Sequence, residues 1–143
     1  MVQTVKQLLE VKGGRLFSVT PQDSVLRAIE IMATNHVGAL LVMDADLLLG
    51  VVSERDYARK VILMNRASRD TPVADIMSAP PITVAPEHTV HHCMELMTDK
   101  RIRHLPVVSD GHVLGILSIG DLVKAVIEEQ SRRIEALEGY IAG

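Results

Sequence analysis

Ser53 and Asp56 lie three residues apart and follow Gly50, and the same arrangement returns as Gly115, Ser118 and Asp121. Each pair ends an apolar run of strand character and stands where a helix should open. A helix start offers unpaired N–H groups and partial positive charge, which suits a phosphate, and a serine hydroxyl adds a donor. An aspartate repels phosphate, but its two acceptor oxygens suit the paired hydroxyls of a ribose. One copy alone reads as a helix cap with an acidic first turn, a purely structural device. Recurrence in the same strand-to-helix context favours a ligand. Serine near phosphate, aspartate on ribose and aliphatic walls for a base describe an adenine nucleotide site.

The recurrence extends through about forty residues at a constant offset of 65. Val19/Val84, Pro21/Pro86, Val25/Val90, Glu30/Glu95, Met32/Met97, Leu40/Leu105, Val42/Val107 and Leu49/Leu114 are identical pairs. One register held through apolar, proline, glycine and acidic positions marks an internal duplication. Duplicated units commonly pack about a pseudo-twofold axis, so a site between them should occur in two related copies.

Each repeat reads as strand, helix, strand, strand, helix. In the first, Leu16 to Val19 is a short strand ended by Thr20-Pro21, because a residue before proline is driven from the helical region. Asp23 or Ser24 caps a helix whose inward stripe is Val25, Ala28, Ile29 and Met32. Ala39 to Met43 is a buried strand, Asp44-Ala45-Asp46 a turn, and Leu48 to Val52 the returning strand. In the second repeat Ile82 to Val84 is a strand, and Val90, Cys93, Met94 and Met97 are the helix stripe. Leu105 to Val108 and Val113 to Leu117 are strands joined at Asp110-Gly111, a hairpin signal. Between the repeats, residues 65–81 hold a polar loop, a short helix Val73 to Met77 and the stop Pro80-Pro81, with Thr4 to Leu9 as that helix's partner. The last helix carries Val123, Val126, Ile127, Ile134 and Leu137, and its spare apolar positions imply contact with another helix. The resulting division is a first repeat 5–64, a linker 65–81, a second repeat 82–128 and a helical extension 129–143.

Composition narrows the function. The 143 residues suffice to bury a core, and no apolar run approaches a membrane span. No basic, then apolar, start marks secretion, and the single Cys93 reads as a half-buried helix residue in a reducing cytosol. A net charge of −3 with fifteen scattered Lys and Arg speaks against nucleic acid as the main partner. Aromatics are 2% of the chain, so a flat ligand ring would be held by Val, Ile and Pro. His88, His91 and His92 have helical spacing that metal sites use, but no carboxylate or cysteine completes a set. Solvent- or dimer-facing histidines fit better, and no metal is expected.

The duplicated unit with Gly-x-x-Ser-x-x-Asp closing each hairpin resembles a tandem pair of CBS (cystathionine β-synthase) domains, a Bateman module, over roughly residues 5 to 128. The resemblance implies an α+β fold of two βαββα units packed through their sheets, and usually a dimer of modules. It also implies two clefts that bind AMP, ADP, ATP, NAD(H) or S-adenosylmethionine for sensing rather than catalysis. Carried over by position, the first cleft would use Val51, Ser53, Arg55, Asp56, Ile82, Arg103, His104 and Pro106. The second would use Phe17, Gly38, Ala39, Ile116, Ser118 and Asp121. Gly38 and Ala39 replace Arg103 and His104, and Gly120 replaces Arg55, so phosphate charge should be better met in the first cleft. The other reading of Arg103 is a solvated strand-edge side chain. A cytoplasmic homodimer that senses nucleotide and signals to a separate effector protein is the expectation. A scaffold with vestigial clefts is the alternative, and an enzyme the weaker rival, since no activated nucleophile or nucleophile elbow is present.

Overall fold

The computed structural model describes residues 3–142. In chain order the elements are α1 (Val5–Lys12), β1 (Ser18–Val19), α2 (Val25–Asn35), β2 (Ala39–Asp44), β3 (Leu47–Ser53) and α3 (Glu54–Tyr57). A π-helical turn (Ala58–Ile62) prolongs α3, and a 3-10 turn (Val73–Asp75) lies in the linker. Then follow α4 (Val90–Lys100), β4 (His104–Ser109), β5 (His112–Ser118) and α5 (Ile119–Ala142). β1 pairs parallel with β2, and β2 antiparallel with β3; β4 and β5 form the matching antiparallel pair.

The duplication is repeated in the packing. One core gathers Val19, Val25, Ala28, Met32, Leu40, Val42 and Val52. The other gathers Val84, Val90, Cys93, Met97, Leu105, Val107 and Leu117, each 65 positions later. Side chains alternate across a strand. Leu40 and Val42 therefore fill their own core while Leu41 points away, yet Leu41 is buried. Its equivalent Pro106 is buried too. The two α+β units pack through their sheets about a pseudo-twofold axis.

Several boundaries differ from the sequence expectation. Ile82 to Val84 is not a strand but one parallel bridge, Val84 with Val107. Only Val84 bonds, its N–H donating to the Pro106 carbonyl at 3.0 Å and its carbonyl accepting from Val108 N at 2.9 Å. In the first repeat Leu41 N donates to the Phe17 carbonyl at 3.1 Å, but its equivalent Pro106 has no N–H to offer the Ile82 carbonyl, so the ladder is not extended. The first strand contracts to Ser18–Val19, and the short helix to Val73–Asp75. Ser24, not Asp23, caps α2; Asp23 accepts instead from Thr20 N at 2.8 Å. Ile29 and Met94 flank their stripes only partly buried. On α5 the buried positions are Leu122 and Ala125, while Val123 and Ile127 face outward.

Thr4 to Leu9 and the linker turn are partners by symmetry. Val5 N donates to His88 O and Lys6 N to Pro86 O, at 2.8 and 2.9 Å. Val73 N donates to Asp23 O and Ala74 N to Pro21 O at the same two distances. Val5 is buried in the second core, and Val73 with Ile76 in the first. Each segment that precedes a repeat thus docks on the other repeat. The hairpin glycines make room for this crossing. A Cβ on Gly50 would stand 2.5 Å from the Ser78 carbonyl oxygen, and one on Gly115 2.7 Å from Leu9 Cδ2.

Candidate functional site

β3 delivers Ser53 to the start of α3, where Ser53 and Asp56 close a capping box. The Ser53 hydroxyl accepts from Asp56 N at 3.2 Å, and Asp56 Oδ2 accepts from Ser53 N at 2.9 Å and from the Ser53 hydroxyl at 3.0 Å. The structural role open to a single copy is therefore real. It uses only Oδ2: Asp56 Oδ1 stands 3.6 Å from the Lys60 ammonium, one turn on. Ser118 and Asp121 repeat the box, with Asp121 Oδ2 accepting from Ser118 N at 2.8 Å and Asp121 N donating to the Ser118 hydroxyl at 3.2 Å. Each helix start is also tied to the chain entering its repeat's middle strand: Glu54 N donates to Gly38 O and Ile119 N to Arg103 O.

A cavity of about 670 Å³ opens between the two repeats and the linker, lined on one side by Val51, Ser53, Arg55 and Asp56 and on the other by Ile82, Arg103 and His104. Of the residues assigned to the first cleft, Pro106 is the exception. It is buried and pairs with Ile116 inside the β4–β5 ladder. The volume falls within the ~300–1,000 Å³ of small-molecule sites. Pro80, Pro81 and Ile102 add apolar wall, and Arg59, Lys60 and Arg101 add cations. With Arg55 and Arg103, five basic side chains border the cavity against the acidic Glu54 and Asp56. Arg59 and Lys60 follow Asp56 by three and four positions, a helical spacing legible in the sequence. Arg101 gave no such signal, because it ends α4 in the left-handed region at φ 55°.

The residues assigned to the second cleft are distributed differently. Ile116, Ser118 and Asp121 stand together at the end of β5 and the start of α5. Phe17 is half-buried beneath the Arg15 guanidinium, 5.3 Å from its ring centroid. Gly38 lines the first cavity instead, and Ala39 is buried in β2 opposite Ser53. Gly38 lies against His104, whose Nε2 would be 3.5 Å from a Cβ there. A cation that sequence reasoning missed reaches this cleft: Lys12 Nζ donates to Asp121 Oδ2 at 2.6 Å and to the Ile116 carbonyl at 2.7 Å. It lies on α1, 109 residues from Asp121, and no local spacing announces it.

The electrostatics follow from these contacts. Burial pushes the Asp121 carboxyl up, but hydrogen bonds from Lys12 and Ser118 outweigh it and hold the group below its ordinary range. Burial pushes His104 down, aided by Lys12 and Arg103 and opposed by Asp121 and Asp56. His104 thus feels charges of both clefts. Cys93 is buried, and burial alone raises its thiol to about 11, so it stays a protonated core thiol at neutral pH. His88 and His92 lie 4.5 Å apart between ring centroids, with the His88 Nδ1 accepting from Ala85 N at 2.8 Å. Among the described residues no cluster of three or more His, Cys, Asp or Glu is arranged to hold a metal ion. No helix there is long and apolar enough to cross a membrane.

The CBS domain model matches the chain twice, over residues 10–63 and 73–128. This chain therefore belongs to the CBS-domain family, as a tandem pair. A CBS domain-containing protein of Arabidopsis thaliana, named as mitochondrial, is 41% identical over 98% of this chain and 72% of its own length. A solved structure from Burkholderia ambifaria, described as a putative signal-transduction protein with CBS domains, is 48% identical. It superposes with a TM-score of 0.86 over 90% of this chain and 96% of its own. A CBS domain pair solved with 5′-methylthioadenosine and S-adenosyl-L-methionine shares the fold, with a TM-score of 0.80 at 23% identity, over 90% of this chain and 99% of its own.

Proposed function

We propose that this CBS pair is a regulatory module whose cavity on Asp56 binds a phosphorylated adenosine derivative. AMP, ADP, ATP and NAD(H) are the candidate class, and the bound state is signalled to an effector protein. The observation that carries the reading is the convergence on one cavity of an acceptor, apolar walls and cations. Asp56 Oδ1 stands outside the capping box, 3.6 Å from the Lys60 ammonium, and a ribose diol would donate to it. Val51, Ile82, Pro80, Pro81 and Ile102 suit the faces of a base. Arg55, Arg59, Arg101 and Arg103 suit phosphate, each as a charge-assisted donor. The same cations disfavour the sulfonium charge of S-adenosylmethionine, so an anionic ligand is preferred. A homodimer formed through the outward apolar face of α5 completes the proposal.

Calorimetric titration with AMP and ATP tests the ligand. Loss of one ribose contact costs about 1–3 kcal/mol, so Asp56→Ala should weaken binding by roughly ten- to a hundredfold. Unchanged affinity in a folded Asp56→Ala protein would remove the assignment. The capping boxes favour a second reading, a dimerisation scaffold in which both Ser–Asp pairs serve only to start helices. That reading expects no nucleotide binding at millimolar ligand.

A further inference from the structure

We propose that Lys12 is a built-in occupant of the second cleft, and that an adenosine ligand enters there only by displacing it and releasing the end of α1. The inference rests on the ligand reading given above. The Lys12 ammonium is held by the Asp121 carboxylate and the Ile116 carbonyl, at 2.6 and 2.7 Å. Asp121 is the equivalent of the ribose acceptor Asp56, and Ile116 that of the base-wall residue Val51. A ligand bound in this cleft as in the first would need the surface that Lys12 now covers.

The first cleft is arranged otherwise. There the Val51 carbonyl accepts from the main-chain Ser78 N at 2.8 Å, a bond that leaves Asp56 untouched. The ammonium near Asp56 is Lys60 of the following turn, 3.6 Å away, and it donates to the Ile76 carbonyl at 3.0 Å. A cation on the helix itself can stay while a ligand binds. A cation brought from α1 to the same carboxylate competes.

The contact is built to be reversible. Lys12 and Asp121 remain 36% and 27% exposed, so solvent weakens their pairing. The first turn of α1 is fixed by buried Val5, by the Thr4–Gln7 capping box and by main-chain bonds to Pro86 and His88. Its last turn is held by Leu9 against Gly115 and by Lys12. Gly13, at φ 89°, and Gly14 follow at once, and such a pair changes conformation at little cost. Displacing Lys12 therefore frees the last turn without unseating the first. The two clefts fill in order, and occupation of the second is reported by α1.

Adenosine is the probe, since it is neutral and attraction to phosphate does not enter. The Asp56→Ala background weakens the first cleft so that the tighter site reports the second, and Lys12→Met keeps the apolar stem while removing the ammonium. Asp56→Ala/Lys12→Met should bind adenosine about three- to tenfold more tightly than Asp56→Ala by calorimetry. In Asp56→Ala itself, saturation with adenosine should speed amide exchange at residues 9–12 and leave residue 5 protected. Equal or weaker adenosine binding by the double variant, including none, overturns the inference, as does unchanged exchange at saturation. The ligand reading fails separately, if AMP binding to the wild type is absent or indifferent to Asp56→Ala.

Discussion

Arg101 illustrates how a single residue divides between fold and site. It ends α4 at φ 55°, a left-handed conformation that glycine adopts freely and a side chain with a Cβ does not. His36 ends α2 in the same way at φ 54°, so the geometry belongs to the fold rather than to the arginine. The Arg101 side chain lines the first cavity. Arg101→Gly should therefore stabilise the protein by about 0.5–1 kcal/mol, the relief expected of glycine at such a cap. It should also weaken ATP binding about threefold or more through loss of a cation. Thermal unfolding and calorimetry on one preparation would check both signs. A variant that loses stability and keeps affinity would place Arg101 outside the site. Residues that work through their local neighbours were the legible ones. Ser53 with Asp56, and Ser118 with Asp121, announce themselves by spacing, and each pair does form its box. Lys12 was invisible because its partners lie more than a hundred positions away.

At the scale of elements, the crossing of each hairpin by a foreign segment is the most exacting contact. Gly50 lies directly beneath the linker main chain, and Ser78 and Val51 exchange hydrogen bonds at 2.8 and 3.1 Å. Gly50→Ala would drive a methyl group into the Ser78 carbonyl, and main chain cannot swing aside as a side chain can. It should cost about 1–3 kcal/mol. Gly115→Ala, which meets only the tip of Leu9, should cost less. Urea unfolding of the two variants would measure the difference, and equal costs would count against this account of the crossing. The helices were readable because α2 and α4 bury the positions a 3.6-residue period marks: Val25, Ala28 and Met32, then Val90, Cys93 and Met97. Ile82 to Val84 was misread because apolar composition suggests a strand, while Pro106 on the partner strand has no N–H to bond the Ile82 carbonyl and leaves a single bridge. On α5 the positions read as spare, Val123, Ile127, Ile134 and Leu137, are exposed. Leu122 and Ala125 pack inward, and the more conspicuous Val123 and Ile127 do not.

The whole molecule carries an apolar surface that its own chain leaves uncovered. Ile134 and Leu137 on α5 are 55% and 63% exposed, and Ile127 is 57% exposed. Ile62, the position equivalent to Ile127, is exposed to the same 57%, and Leu63 and Met64 continue that patch. A second copy presenting the same surfaces would cover them about a twofold axis. Sedimentation equilibrium should therefore give about twice the 15.7 kDa chain mass at micromolar concentration. Ile134→Glu combined with Leu137→Glu should return it to the chain mass without unfolding. A wild type that sediments at the single-chain mass would rule the dimer out.

The exchange of docking segments also sets an order in time. α1 is complete at Lys12, yet the hairpin that receives its Leu9 and Lys12 ends only at Ser118. At roughly 5–20 residues added per second during synthesis, the helix waits on the order of 5–20 s for its seat. Eight residues are too few to hold a helix alone, since isolated helices below about 12–15 residues are marginal in water. During that interval Val5, Leu8 and Leu9 lack the core they pack against. The first repeat need not wait so long, because Val73 and Ile76, which complete its core, follow directly behind it. α1 is thus made before the repeat that seats it, and its docking certifies that the second repeat has been finished.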